Sequence, residues 1–299
     1  MILGIIGLGT LGEYYLRDFV KSKVQAICFK NSSYNSTIKK SRLIKKKYNI
    51  TLKPSKNFKN FFKNQFDTVL ICSPSKYHLK HIEKTLQFKK NIIIEKPIIS
   101  LSKEKNQNWV KNKFRKILDS DVKIFYNLIN EYYGKKYNEL LKKKNFKFKK
   151  FKFIFHTNGK NKYDDILDDL LPHVFSILDS IYDYRKIVNI KKKVSKYKSK
   201  VQFYADNCLC DIEFLQNSKK KKLKFGFDGF LAERKVLEKN QNLSIYLECK
   251  KINKRIKISN PLYVSVKKII RNFYNYDKEK EYNRIYNNFN KCCKIFYAK

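Results

Sequence analysis

The feature that most constrains this chain is a glycine turn close to its start, Gly7-Leu-Gly9-Thr-Leu-Gly12. The apolar run Ile2–Ile6 before the turn predicts a buried strand, and residues 11–21 after it have helical spacing. In this context Gly7 permits a tight turn, Gly9 lets the backbone approach a pyrophosphate, and Gly12 lets helix and strand pack closely. The free amides of Thr10 and Leu11 would then face phosphate oxygens. The pattern predicts a dinucleotide-binding Rossmann domain.

Short apolar runs alternate with amphipathic stretches over the first third of the chain, which predicts βαβ units in a parallel sheet. We predict strands at 24–29, 68–72, 91–94 and 122–126, with helices at 38–48 and 78–88. The segments 146–155, 201–204, 208–214, 222–227 and 243–249 then indicate a mostly antiparallel open sheet, flanked by helices at 165–181 and after Pro261. We therefore predict an α/β protein with a Rossmann domain at 1–127 and a domain for substrate binding and oligomerisation at 128–299. The lysine runs 143–150, 191–193 and 219–222 are interpreted as strand ends or hairpin tips.

The formal net charge of +42 would by itself suggest a nucleic-acid partner. However, 60 of the 68 basic residues are Lys and only 8 are Arg, the residue whose fork recognises bases and phosphates. Lys, Asn, Ile, Tyr and Phe are abundant together, which is typical of A/T-rich codons. We expect no specific nucleic-acid partner, although nucleic-acid binding and steering of an acidic substrate stay as alternatives.

No apolar run reaches the roughly 18 to 20 residues that a membrane-spanning helix needs, and the apolar start lacks a basic leader. We therefore expect a cytoplasmic protein with no membrane partner. The seven cysteines do not have the spacing of zinc or redox motifs. Because no His, Cys and carboxylate cluster has ligand spacing either, we expect no metal site.

The end of the second predicted strand bears on the choice of cofactor. An NAD-binding domain places an Asp or Glu for the ribose about 20 residues after the glycine turn, where this chain has Phe29-Lys-Asn-Ser-Ser33. A carboxylate would repel a 2′-phosphate, whereas Lys30, Asn31 and Ser32 could bind it. The segment thus favours NADP over NAD. Because lysine is so abundant, an ordinary surface lysine is the alternative for Lys30.

Two further motifs carry a resemblance to a known family. Cys72-Ser73-Pro74-Ser-Lys-Tyr-His78 resembles a Thr-Pro-x-x-x-His segment, and Ile94-Glu95-Lys96-Pro97 resembles a Glu-Lys-Pro signature. Both belong to the glucose-fructose oxidoreductase and inositol dehydrogenase family, Gfo/Idh/MocA, and follow the glycine turn in the family's order. Asp169-Leu-Leu-Pro-His173 is similar to the family's Asp-x-x-x-His. The glycine turn and these two motifs span residues 7–97, and the resemblance continues more loosely at residues 169–173.

The resemblance implies NAD(P)-dependent hydride transfer to or from a hydroxyl of a sugar, a sugar derivative or a nucleotide-linked sugar. His173 would take the hydroxyl proton, because an ordinary pKa of about 6.5 suits a base at neutral pH. Asp169, four residues earlier on the same helix face, would orient the imidazole or bind substrate, and Lys96 would stabilise alkoxide charge.

The family likeness also implies a cis Lys96-Pro97 peptide that helps to seat the nicotinamide, and a homo-oligomer, dimer or tetramer, formed through the open sheet. The cofactor-binding residues that the motifs predict are Gly7, Gly9, Thr10, Leu11, Gly12, Lys30, Asn31, Ser32, Ser73, Pro74, His78, Glu95 and Pro97.

Three departures from the family pattern concern the substrate end. The family often carries an Arg where this chain has Asn127-Leu-Ile129-Asn130, and an acid where it has Ser176. Residues 162–167 replace a glycine-rich approach to the Asp-x-x-x-His helix. These departures leave open a catalytically reduced family member with a sensing or scaffold role, in which His173 is a buried helix residue and Asp169 a solvated charge.

Overall fold

The computed structural model describes residues 1–104, 106–141, 147–239 and 242–298. The chain forms two compact units. The first consists of residues 1–127 and 262–286, and the second of residues 128–261 and 287–299.

The first unit is built on six parallel strands, which are β1 (Ile2–Ile6), β2 (Gln25–Lys30), β3 (Lys53–Pro54), β4 (Thr68–Ile71), β5 (Asn91–Ile94) and β6 (Ile124–Tyr126). Their order is β3-β2-β1-β4-β5-β6, the doubly wound order in which ligands bind where the winding reverses, between β1 and β4. The strands β1, β4 and β5 are nearly all apolar because both faces of a parallel sheet are covered.

The helices of the first unit are α1 (Thr10–Lys21), α2 (Tyr34–Tyr48), α3 (Phe58–Phe62), α4 (His78–Gln87) and α5 (Gln107–Leu118). Short 3-10 turns lie at Ser75–Tyr77 and Leu101–Lys103. Where α1 packs on the sheet, Tyr15, Leu16 and Phe19 are fully buried beside Leu3 and Ile5. This spacing of three and four residues is that of an amphipathic helix.

The sequence predicts one boundary between the domains, at residue 127. In the structure the first unit also includes residues 262–286. The helix α8 (Pro261–Tyr274) places Val266, Ile269 and Phe273 in the same apolar core as β1 and α1. Lys123 also donates a hydrogen bond to the carbonyl of Phe273 at 2.7 Å. The apolar stripe of α8 therefore completes the Rossmann core instead of the second sheet.

The second unit contains an eight-stranded sheet. Its strands are β7 (Lys150–His156), β8 (Ile187–Val194), β9 (Lys198–Ala205), β10 (Cys208–Leu215), β11 (Lys222–Phe227), β12 (Phe230–Lys239), β13 (Asn242–Cys249) and β14 (Lys254–Ile258). The order is β14-β13-β12-β11-β7-β10-β9-β8, with only β7 and β10 paired in parallel. The predicted α/β class, with a parallel sheet followed by a mostly antiparallel one, is confirmed.

The second unit also contains α6 (Glu131–Leu141), α7 (Asp164–Leu178) and a 3-10 turn at Lys250–Ile252. The last helix is α9 (Lys278–Phe296), whose residues are divided between the two units. The lysine run 191–193 lies near the end of the edge strand β8, just before the turn to β9, as predicted for a strand end or hairpin tip. The strand predicted at 146–155 begins at Lys150, and residues 143–146, which include the start of the lysine run 143–150, lie outside the described residues. None of the helices in the described ranges has the length and apolarity needed to cross a bilayer.

Candidate functional site

The glycine turn connects the end of β1 to the start of α1. Gly7 has a φ of +89°, and a Cβ there would lie 2.5 Å from the backbone nitrogen of Ser73. A Cβ on Gly12 would lie 2.6 Å from the carbonyl oxygen of Gly7. At Gly9, by contrast, a Cβ would meet no atom within 4 Å. Gly7 and Gly12 therefore permit close packing within the protein, while Gly9 leaves space through which a pyrophosphate could approach the backbone.

Two hydrogen bonds tie the end of β2 to this turn. The amide of Gly7 donates to the carbonyl of Lys30 at 2.9 Å, and the amide of Leu8 donates to the side-chain oxygen of Asn31 at 2.7 Å. Asn31 therefore positions the turn in addition to facing the cleft described next. The ammonium of Lys30 donates to the carbonyl of Asn31 at 2.9 Å and lies 4.8 Å from the ring centroid of Phe58.

A cleft of about 720 Å³ opens at this edge of the first unit. It lies outside the carboxyl ends of β1, β2 and β4, which is where doubly wound sheets bind nucleotides. The predicted cofactor residues that line the cleft are Gly7, Gly9, Thr10, Leu11, Lys30, Asn31, Ser32, Ser73 and Pro74. The predicted residues Gly12, His78, Glu95 and Pro97 do not line it, so any role they have in cofactor binding is indirect or lies beyond this cleft.

Eight further residues that the sequence did not assign to the cofactor site line the same cleft, namely Ile6, Leu8, Ser36, Phe58, Cys72, Tyr77, Lys80 and His81. The Nδ1 atom of His81 lies 2.7 Å from the hydroxyl oxygen of Ser73. The centroid of its ring lies 5.5 Å from that of Phe58 and 6.0 Å from that of Tyr77. Tyr77 lies within the motif that ends at His78, and the only sequence signal for Lys80 and His81 was that they follow this motif closely.

His81 is neutral in the folded protein at physiological pH. Burial first, and then the charges of His78, Lys30 and Lys80, lower its pKa to about 4. The cleft is therefore electropositive around His81.

We expect the free energy of unfolding to fall as the pH falls from 6.5 to 4. The folded chain keeps His81 neutral down to about pH 4, whereas an unfolded chain protonates it near pH 6.5. The unfolded state binds more protons in this window, so acid favours unfolding, by about 1–2 kcal/mol after allowance for solvent screening. Urea unfolding at pH 7 and 4.5 measures the loss. The control His81→Asn should lose less, and an equal loss in both proteins would contradict the assignment.

His78 is buried behind the wall of the cleft, with 1% of its surface exposed. Its Nδ1 atom lies 2.6 Å from the carbonyl oxygen of Pro97, and its Nε2 atom lies 2.6 Å from the carbonyl oxygen of Ser73. Burial lowers the pKa of His78, against the effect of the two carbonyls. The side chain thus connects the loop after β4 to the loop after β5, and we regard His78 as a positioning residue.

Glu95 is also buried, and its carboxylate accepts hydrogen bonds from the Tyr15 hydroxyl and, at 2.7 Å, from the Asn127 amide. The Ser265 hydroxyl in turn donates to the side-chain oxygen of Asn127. Burial and the charge of Glu95 raise the pKa of Tyr15 well above its usual value. Glu95 therefore links α1, β5, β6 and α8 within the first unit.

Lys96 follows directly and is partly exposed, while its neighbours Glu95 and Pro97 are buried. The Lys96-Pro97 peptide is cis, as the family resemblance implied. The backbone on each side of Lys96 is held by the contacts of Glu95 and by the carbonyl of Pro97, so the lysine side chain projects from a fixed position at the carboxyl end of β5.

The remaining predicted catalytic residues, Asp169 and His173, lie on α7 of the second unit. Both are partly exposed, unlike the buried residues Asp168 and Ser176. Their separation of four residues puts them on one face of the helix, and the His173 ring packs edge-on against Phe155 at 5.4 Å. The Ser176 hydroxyl donates a hydrogen bond to the carbonyl of His173 at 3.0 Å, so this hydrogen bond is made within α7.

The described residues include no group of three or more His, Cys, Asp or Glu side chains arranged to hold a metal. The first unit instead offers a cleft at the carboxyl ends of its strands and, at the end of β5, the lysine Lys96. The second unit offers a carboxylate and an imidazole on one helix. The β3-β2-β1-β4-β5-β6 sheet and its glycine turn define a dinucleotide-binding Rossmann protein.

Comparison with known families makes this class specific. Residues 1–113 match the model of an oxidoreductase family with an NAD-binding Rossmann fold, Gfo/Idh/MocA. This match over residues 1–113 agrees with the resemblance that the sequence motifs showed. No curated protein matches the chain.

Solved structures resemble the chain over nearly its whole length. UDP-N-acetylglucosamine 3-dehydrogenase from Acidithiobacillus ferrooxidans has 11% identity and a TM-score of 0.66, covering 99% of this chain and 98% of that one. KijD10, a 3-ketoreductase from Actinomadura kijaniata solved with TDP-benzene and NADP, has 9% identity and a TM-score of 0.75, covering 99% and 96%. An oxidoreductase from Thermotoga maritima has 12% identity and a TM-score of 0.73, covering 100% and 96%. At these identities the likeness establishes the fold alone.

Proposed function

We propose that this protein is an NADP-dependent oxidoreductase that transfers hydride between the nicotinamide and a hydroxyl or ketone carbon of a sugar, a sugar derivative or a nucleotide-linked sugar. The observation that carries the proposal is the cleft, where the glycine turn, the end of β2 and the Ser73-Pro74 loop face one space. Among similar structures, one is named as a dehydrogenase of UDP-N-acetylglucosamine and another as a ketoreductase. Those names support the substrate class.

The lining of the cleft supports NADP over NAD. Lys30, Asn31 and Ser32 lie where an NAD-specific domain carries an acid, and no Asp or Glu is among the described residues that line the cleft. A 2′-phosphate would meet an ammonium and a hydroxyl there instead of a carboxylate. One similar structure was solved with NADP, and NAD is the alternative cofactor.

The catalytic roles follow from what each side chain can do. NADP supplies the hydride acceptor or donor when it is bound. In the oxidation direction we assign His173 to take the proton of the substrate hydroxyl, with Asp169 one turn earlier to orient the imidazole and support its cationic form. We assign Lys96 to stabilise negative charge on the reacting oxygen.

The test is a screen of sugars and sugar nucleotides with NADP⁺ and with NAD⁺, followed at 340 nm, together with thermal unfolding in the presence of each cofactor. We expect NADP⁺ to raise the midpoint temperature more than NAD⁺, and at least one substrate to turn over. If neither cofactor raises the midpoint temperature and no substrate turns over with either of them, the proposal is wrong.

A second candidate function is a catalytically reduced family member that senses or displays a nucleotide. Two observations favour it: Ser176 bonds to its own helix, and Asn127 bonds to Glu95, so neither position offers the charged group that the family often has. Cofactor binding without turnover of any substrate in the screen would support this candidate.

We also propose a cytoplasmic location and a homo-oligomer formed through the open face of the second sheet. On β9 the side chains alternate between buried and exposed positions, and Tyr204 on the open face is 38% exposed. Light scattering of the purified protein tests the assembly, and a monomer at all concentrations would contradict it.

A further inference from the structure

The cleft contains a second cation that the predicted cofactor site does not include. Lys80 lies in the first turn of α4 and lines the cleft together with Lys30, which comes from the end of β2. The two lysines thus reach the same space from different elements of the first unit. Neither ammonium is paired with a carboxylate among the residues that the structure describes.

The charges of these two lysines act on each other. Burial lowers the pKa of Lys30, and the charge of Lys80 lowers it further. Both lysines also hold down the pKa of His81. Lys30 is half-buried and Lys80 is exposed. An anion that contacts two ammonium groups which repel each other, in a cleft without a carboxylate, stabilises both.

Lys30 is positioned to accept such a ligand. Its ammonium donates one hydrogen bond, to the carbonyl of Asn31, and lies over the ring of Phe58. An ammonium has three donors, so two stay available for oxygen atoms of a ligand. The hydrogen bond and the ring contact keep the side chain in place, which reduces the entropy lost when a ligand binds.

Other lysines near α4 differ from Lys80. Lys76 lies 4.9 Å from the ring centroid of Tyr77, and Lys84 donates to the side chain of Gln87 at 3.0 Å. Neither lines the cleft. An abundance of surface lysines therefore does not by itself explain why a lysine occupies this position.

We propose that Lys80 determines cofactor specificity jointly with Lys30, and that both ammonium groups bind the 2′-phosphate of NADP. The inference rests on the proposed function, because it requires that the cleft hold a dinucleotide. The sequence assigned recognition of the 2′-phosphate to residues at the end of β2 alone. The inference adds a residue from α4.

The test compares binding of NADP⁺ and NAD⁺ to the full-length protein by calorimetry, with Lys80→Gln, Lys30→Gln, the double variant, and Lys84→Gln as a matched control on the same helix. We expect Lys80→Gln to weaken NADP⁺ binding about tenfold, as for loss of a hydrogen bond to a charged group, and to change NAD⁺ binding less than twofold. Lys84→Gln should bind both as the parent does. Lys80→Arg should retain most of the preference for NADP⁺.

The fragments 2′,5′-ADP and 5′-AMP provide a second readout that does not depend on activity. Lys80→Gln should weaken 2′,5′-ADP alone, and the double variant should lose less than the product of the two single losses, because both lysines contact one phosphate. Equal weakening of NADP⁺ and NAD⁺, or no weakening, would overturn the role of Lys80 while leaving the proposed function intact. A parent protein that binds neither dinucleotide would overturn both.

Discussion

Replacing Lys96 with Met is expected to lower kcat/KM by about 10²–10³-fold while leaving the Kd for NADP⁺ within about threefold. Methionine keeps much of the length of the side chain and removes its charge. In our assignment that charge stabilises the oxygen of the reacting carbon, an interaction strongest in the transition state. Steady-state kinetics on a substrate from the screen, together with calorimetry, separates the two effects.

The residues on both sides of Lys96 are held by contacts of their own, so the substitution tests the charge of Lys96. Glu95 is held by Tyr15 and Asn127, and the Pro97 carbonyl by His78, so a change at position 96 leaves the backbone on both sides anchored. The control is Lys90→Met at the other end of β5, where the ammonium lies 5.4 Å from the ring centroid of Phe66. Lys90→Met should retain parental activity. A Lys96→Met protein with activity within tenfold of the parent would rule out the assigned role.

The strands of this protein could be predicted where an apolar run ends at charged or turn residues. Ile2–Ile6, Asn91–Ile94 and Lys222–Phe227 have the predicted bounds. The helix α6 was not predicted, because its tyrosines and lysines obscure the apolar stripe in Glu131–Leu141. Nor was β8 predicted, because Ile187–Val194 is an edge strand with a register shift and alternates irregularly.

The candidate site could be predicted only as far as its local motifs reach. The glycine turn specifies its own geometry, since Gly7 needs a positive φ. The sequence could not assign Lys80 to the cleft, because which face of α4 lines the cleft depends on how the helix packs on the sheet. For the same reason His78 and Glu95, which belong to recognisable motifs, proved to be buried supports. The return of α8 to the Rossmann core is a long-range contact that no local pattern encodes.

The three glycines of the turn should separate stability from cofactor binding. We expect Gly7→Ala to lower the free energy of unfolding by about 2–4 kcal/mol, because a Cβ at a φ of +89° is strained and would lie 2.5 Å from Ser73. Gly12→Ala should cost about 1–3 kcal/mol, because its Cβ would lie 2.6 Å from the Gly7 carbonyl. Urea unfolding of each variant without cofactor measures these losses.

Gly9→Ala is the decisive member of the series. Its φ of −82° suits any residue and its Cβ would meet no protein atom within 4 Å, so we expect a stability within about 1 kcal/mol of the parent. NADP⁺ binding should nevertheless weaken at least about tenfold, since the new methyl group occupies the space through which the pyrophosphate approaches the backbone. A stable Gly9→Ala protein that binds NADP⁺ like the parent would mean that no pyrophosphate lies against this turn. The packing of Gly7 and Gly12 would then be structural alone, and the cleft would need another ligand.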